Sequence, residues 1–482
     1  MVLPVLAQTE DQDTLWLRLE DCISRAIESS PNAYSARYDS ISAAGQWMVA
    51  RGSKYPQLKL SGQFPTWERS VAYSVRYDAD LGYDTYSRIP SENQIWRGIL
   101  NLDQNLPWGA TLNLSSSLLR LGYMTDYGDT TFNIQEYSWR QSVILSQPLL
   151  EGNPVGRENR INEIEWVSSL IGNELSVRSN RYRAIQLFFG LVSAYGQAEI
   201  ARQDYEQGVL SVGITERKFN AGLVPEVDLL RIQVDVARRE NSWRQAQGGV
   251  EGAMDDLRME LGISFERPLA PLYQMDSLVT RSVESIPVEG EPLELVRDKM
   301  NLDRIELETR SRILTQRIQA TLDLFYEIDS RNEDIEKLST DGDKNYGITL
   351  HVEFPIFGFG TTTGTIQTIR AGLEKEKVNH RYRTAQSAAE LRQALRSAHL
   401  VRERIRIADA SLDLALKGYD ITNQRFNVGL ISSKDLIDAQ LDLTRTRREA
   451  LSARIDYELA LAYLEKIAPV DVNTIGIKLP RR

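Results

Sequence analysis

Apolar residues recur along this chain with two different periods, and the period switches at equivalent places in two successive halves. In the last long stretch Leu436, Ala439, Leu443, Thr446, Ala450, Ala453, Tyr457, Ala460 and Leu464 follow at steps of three and four, a sustained heptad seam. Its alanines let a neighbouring helix approach closely, while Arg445, Arg447, Arg448 and Glu449 keep the flank wet. A matching seam, Leu229, Ile232, Val236, Arg239, Trp243, Ala246, Val250, Ala253 and Leu257, is interrupted once, by Arg239. Helical spacing also marks 17–53 through Leu19, Cys22, Ile23, Ala26 and Ile27, with a break at Ser30-Pro31. The period then falls to two. Leu58, Leu60, Gly62 and Phe64 alternate with Lys59, Ser61 and Gln63, and Val71, Tyr73, Val75 and Tyr77 with Ala72, Ser74 and Arg76, as in strands with one apolar and one polar face. Further strand-like pieces are predicted at 96–102, 111–117 and 142–145, among many aromatic residues.

Proline sets the limits of the helices. None occurs between Pro154 and Pro225, and a helix over 157–217 would be roughly 90 Å long at 1.5 Å per residue. The second half repeats the plan: a helix over 293–319, strands around Leu322, Leu324, Tyr326 and around Ile348, Leu350, Val352, Phe354 joined by an acidic loop at 330–344, and no proline from 356 to 468. Two motifs give one offset, since Phe219-Asn220-Ala221-Gly222-Leu223 recurs at Phe426-Asn427-Val428-Gly429-Leu430 (426 − 219 = 207) and Pro148 at Pro355 (355 − 148 = 207). Gln233, Asp235 and Arg238 match Gln440, Asp442 and Arg445 in the same register, so the chain is an internal duplication. The expected organisation is an N-terminal segment 1–16, a first repeat 17–268 (helices 17–53, strands and loops 57–148, helical hairpin 154–265 turning at 219–225), a linker 269–290, a second repeat 291–468 (helix 293–319, strands 321–355, hairpin 360–468 turning at 426–432) and a tail 469–482.

Composition narrows the function classes. A net charge of −10 leaves nothing to neutralise a run of phosphates, which argues against a nucleic-acid partner. One cysteine, Cys22, and three histidines, His351, His380 and His399, supply neither a disulfide nor a zinc-type cluster, and Cys22 fits helix packing. No run of about 18 apolar residues occurs, so no helix is expected to span a bilayer and only a closed barrel could. The start, Met1 to Ala7 ahead of Gln8, reads either as the tail of a signal peptide or as an ordinary N-terminus, and no cysteine stands there for a lipid anchor. Neither a nucleophile elbow nor a phosphate loop nor metal spacing is present, so no enzyme, cofactor or catalytic residue is expected.

The duplicated strand, helix, Phe-Asn-x-Gly-Leu turn and helix, together with Leu19-Glu20-x-x-Ile23-x-x-Ala26-Ile27-x-x-Ser30-Pro31 and Tyr55-Pro56-Gln57-Leu58-Lys59-Leu60, resembles the TolC family of outer-membrane efflux proteins over about 17–468. The resemblance implies a mainly α fold with a β part. Three chains would each give four strands to a twelve-stranded outer-membrane barrel and long antiparallel hairpins to a periplasmic tunnel. It further implies a passive conduit for efflux or type I secretion, partnered by a periplasmic adaptor (membrane fusion protein), an inner-membrane transporter and outer-membrane lipid. The adaptor would dock at Ala221, Gly222 and Leu223 and at Val428, Gly429 and Leu430, and Asp435 and Asp438 would ring the tunnel entrance.

Plain helix chemistry accounts for part of this. Gly222 and Gly429 are suited to C-capping, Ser432-x-x-Asp435 to a capping box, and Pro225 to the first position of a helix with Asp228 in its first turn. Asp438, opposite Arg231 in the other repeat, has no capping role. Phe426 and Ile431 stand where some members of the family carry a tyrosine and an arginine that latch the entrance, so that latch is lost. The strand region 58–148 is longer than two barrel strands need, leaving 96–117 as an added hairpin or an external loop. A non-channel coiled-coil protein with a soluble β domain is the competing reading. It leaves unexplained why strands enter both repeats at equivalent places.

Overall fold

The computed structural model describes residues 15–78, 80, 82–126, 131–266, 269–273, 282–286, 290–338, 342–472 and 474–480. The apolar start at 1–8 and linker residues 274–281 and 287–289 lie outside them. The elements are β1 (Leu15–Leu17), α1 (Leu19–Glu28), α2 (Pro31–Gly52), β2 (Gln57–Asp78), β3 (Tyr83–Asn105), β4 (Thr111–Asp126), β5 (Thr131–Pro148), α3 (Pro154–Asn220), α4 (Glu226–Leu261), β6 (Leu269–Pro271), α5 (Leu293–Thr315), β7 (Gln319–Asn332), β8 (Asp343–Glu353), α6 (Thr361–Asn427) and α7 (Ser433–Ile467).

The 207-residue offset governs the helices to the residue: α6 begins and ends that far after α3 (361 − 154 and 427 − 220), and α7 begins that far after α4 (433 − 226). Upstream the offset differs. From α2 to α5 it is 293 − 31 = 262, and from β2 to β7 it is 319 − 57 = 262, so the first repeat holds 262 − 207 = 55 extra residues within its strand region. Those residues make two additional strands. The sheet therefore has six strands, in the order β2-β3-β4-β5-β7-β8, where the resemblance implies four.

Every neighbouring pair in this sheet is antiparallel. β3 reaches past β4, since its residues from Tyr83 to Pro90 pair only with β2. Pro90, which has no N–H to give, lies in that one-sided stretch, where a strand tolerates it. Pro65 falls at the bulge between Gln63 and Thr66 on the edge strand β2. The extra residue there carries the apolar side from even-numbered positions, Leu58 to Phe64, to odd-numbered ones, Val71 to Tyr77.

Two compact units result. One holds the sheet with Ala43–Trp166 and Met300–Val378, and in it Trp47 stacks on Trp166 at 4.4 Å. The other draws on Met1–Ser42, Val167–Lys299 and Asn379–Arg482. Its core gathers Phe188, Phe189, Leu191 and Val192 of α3 with Leu17, Cys22, Ala26, Leu257, Leu261 and Leu269. Burial pushes the Cys22 thiol up to about 12, as befits a packing residue. α7 is apolar on two faces: Ala450, Ala453, Tyr457, Leu461 and Leu464 pack with α6, whereas Leu451, Ile455 and Ala462 join the α3 core.

Several boundaries move. The expected helix 17–53 is preceded by β1, which pairs in parallel with β6, so the expected linker opens as a strand. The helix expected over 293–319 stops at Thr315 because Gln319 already starts β7. Pro225 is the N-cap rather than the first helical residue, its ψ of 154° being extended.

Candidate functional site

The two repeated turns share one geometry. Gly222 (φ +72°) and Gly429 (φ +81°) lie in the left-handed region that favours glycine. Gly222 N–H donates to Phe219 O at 2.9 Å and Leu223 N–H to Lys218 O at 2.9 Å; Gly429 N–H donates to Phe426 O at 2.9 Å and Leu430 N–H to Arg425 O at 3.0 Å. Both turns are thus Schellman motifs, closing a long helix before its hairpin partner. Ala221 is exposed beside them. Leu223 is 74% exposed, Val428 71% and Leu430 74%, which leaves apolar side chains bare on both turns.

Beneath the turns the two repeats diverge. Phe426 is 2% exposed and packs with Ile232 and Leu436, while its counterpart Phe219 is 36% exposed. Lys218 contacts Phe426 as well: its ammonium lies 4.0 Å from the Phe426 ring centre and donates to the Phe426 carbonyl. Burial holds the Lys218 pKa below the ordinary lysine range. A second tie joins the hairpins where Ser433 Oγ, buried, donates to Asp228 Oδ1 at 2.8 Å.

Asp435 and Asp438 are both exposed on one side of α7, away from the buried Ser433, Leu436 and Gln440. Asp435 N–H donates to Ser432 Oγ at 3.4 Å, which with the return bond from Ser432 N–H completes the capping box expected from the sequence, and Asp435 Oδ2 accepts from Ser432 N–H at 3.1 Å and Ser432 Oγ at 2.8 Å. These two hydrogen bonds hold its carboxyl below the usual aspartate range.

Arg239, the seam's interruption, is the hub of a buried network. Only 4% exposed, it reaches Asp204, Asp235 Oδ2 at 2.5 Å and Gln440 Oε1 at 2.9 Å, and Thr444 Oγ1 donates to Asp204 Oδ1 at 3.0 Å. α3, α4 and α7 are joined through it. Burial pushes the Asp204 carboxyl above its usual range, and Arg239 opposes that shift. The heptad pattern flagged Arg239, whereas Lys218, Ser433 and Asp204 carry no signal of this role in the sequence.

The sheet has two unlike faces. One rung runs Leu58, Leu102, Leu114, Val143, Tyr326, Tyr346 across all six strands; the next, on the opposite face, runs Lys59, Asn101, Ser115, Ser142, Glu327, Asn345. On the polar face Arg140 meets Glu327 at 3.3 Å and Asp329 at 3.4 Å, and Arg331 meets Asp329 at 2.9 Å. Among the described residues no helix is long and apolar enough to cross a membrane.

The family model "outer membrane efflux protein" matches residues 317–468. The fold is similar to the CmeC outer membrane channel of Campylobacter jejuni, with a TM-score of 0.69 at 15% identity over 95% of this chain and 88% of that one. It is similar to the outer membrane protein VceC of Vibrio cholerae (TM-score 0.63, 14% identity, 93% and 96% covered). The MtrE outer membrane channel of Neisseria gonorrhoeae, in its open state, matches with a TM-score of 0.60 at 14% identity over 93% and 88%. No curated protein matches the sequence.

Proposed function

We propose that this chain, a member of the outer membrane efflux protein family, is the passive outer-membrane duct of a tripartite efflux or type I secretion system. The carrying observation is the pair of adjacent rungs, one wholly apolar from Leu58 to Tyr346 and one wholly polar from Lys59 to Asn345. A wall between lipid and a wet lumen needs that arrangement. A soluble sandwich instead needs a second sheet over the apolar face, and among the described residues the other sheet has two short strands only.

In this reading three copies assemble, outer-membrane lipid covers the apolar rung, and the helices line a periplasmic tunnel. The exposed turns Ala221-Gly222-Leu223 and Val428-Gly429-Leu430 receive a periplasmic adaptor, which links the duct to an inner-membrane transporter. That transporter supplies the energy, and no catalysis is assigned to the duct. Asp435 and Asp438 face the entrance, where their charge draws cations. The capping role of Asp435 does not compete, because an exposed carboxylate can cap a helix and still project its field.

The test is single-channel current in a planar bilayer for the wild type beside Asp435→Asn with Asp438→Asn. The expected result is a cation-selective conductance in the wild type that loses most of its selectivity in the double variant. Unchanged selectivity removes the gate role, and failure of the wild-type protein to insert removes the duct.

A further inference from the structure

The six-stranded sheet ends in two free edges, and their geometry identifies what covers them. β2 and β8 each have a strand neighbour on one side only among the described residues. β2 is 22 residues long, and Leu58, Leu60, Phe64, Tyr73 and Tyr77 along it are exposed. A long apolar edge of this kind is a template for another strand, and native proteins cover it. Because the strands alternate in direction across an even number, β2 and β8 run opposite ways. The β8 edge of one copy therefore matches the β2 edge of the next as an antiparallel pair, a head-to-tail contact that closes into a ring. The apolar rung reaches both edges, at Leu58 and Tyr346, so the join continues the same two faces.

From this geometry we propose that the partner at both edges is a second copy of this chain, and that three copies close a barrel of eighteen strands instead of twelve. The inference rests on the trimeric duct proposed above and deepens it. The two extra strands of the first repeat are then part of the wall: β3 is paired on both sides from Ser91 to Asp103, and β4 is paired to β3 from Thr111 to Thr125 and to β5 from Thr111 to Asp126. No hairpin can leave the wall without breaking one of these ladders. At a strand spacing of about 4.8 Å and a tilt of about 40°, the backbone diameter rises from ~24 Å for twelve strands to ~36 Å for eighteen. A lumen of that width accepts bulkier cargo in the membrane segment than twelve strands allow.

Two measurements on the full chain decide it. A cryo-electron-microscopy map of the detergent-purified protein is expected to show a threefold ring with eighteen strands in the wall. Independently, Lys59→Cys is paired in turn with Asn345→Cys, Gly347→Cys and Thr349→Cys, which share its face of the sheet. At least one pair is expected to give a covalent trimer on oxidation, whereas Ser115→Cys on β4 with the same three partners gives none. A trimeric map with twelve strands, cross-linking from Ser115→Cys, or no cross-linking from either set in an intact trimer overturns the eighteen-stranded closure and leaves the duct standing. A protein that forms no membrane-inserted trimer overturns both.

Discussion

At the scale of single residues, Asp435 shows how an exposed carboxylate closes the first turn of a helix. Ser432 binds it through a backbone and a side-chain donor, and those hydrogen bonds favour the ionised form. A carboxyl whose folded-state pKa is depressed adds stability above its unfolded value, about 3.9, and loses it as the pH falls through the lower folded value. The start of α7 is therefore expected to be firm at neutral pH and to loosen only in strong acid. Ser432→Ala removes the hydroxyl donor and returns the Asp435 pKa toward its ordinary range. Such a cap contributes about 1 kcal/mol, so amide exchange at 433–436 should quicken by about five-fold at neutral pH. Hydrogen-exchange mass spectrometry reads this directly, and unchanged exchange would mean that Ser432 does not hold the turn.

At the scale of elements, the sequence made the long helices legible because two copies of one pattern constrain each other. The offset between Phe219 and Phe426 fixes α6 and α7 once α3 and α4 are placed, and both glycine turns could be read from φ requirements alone. The sheet was less legible. β3 and β5 extend well beyond the stretches where alternation is visible, because Ile134 on one face of β5 and Tyr137 and Trp139 on the other blur the period of two. Arg239 was visible only as a fault in a seam, since a heptad pattern records which side faces inward and not what waits there. Its partners Asp204, Asp235 and Gln440 come from three helices. Arg239→Met should take from the buried Asp204 and the half-buried Asp235 the cation that both contact and cost about 3–5 kcal/mol per chain, while adding Asp204→Leu should recover a good part of that loss. Denaturant unfolding followed by helical circular dichroism checks both, and a single variant as stable as the wild type would show that the network is not holding the hairpins together.

At the scale of the whole molecule, the exposed side of α6 bears on the trimer proposed above. Ala394, Ala398, Ile405 and Ala408 face α7. Leu400, Ile407, Leu414 and Ile421 recur every seven residues and are exposed. Ile405 and Ile407 are about 200° apart around the helix, so these are two stripes on opposite sides. A helix in a closed tunnel wall has two neighbours and needs two such stripes, whereas a helix at the surface of a finished bundle needs one. Full burial of an aliphatic side chain of this size contributes roughly 1.5–3 kcal/mol, so four of them repeated at every junction of a ring amount to a substantial part of assembly. Ile407→Glu with Leu414→Glu should leave the fold of the chain intact, because both positions are exposed within it, and should shift the detergent-purified protein from trimer to monomer. Native mass spectrometry separates the outcomes. A trimer that survives both charges would move the junction to another face of the helices, and a monomer that retains its helical signal would place it along this stripe.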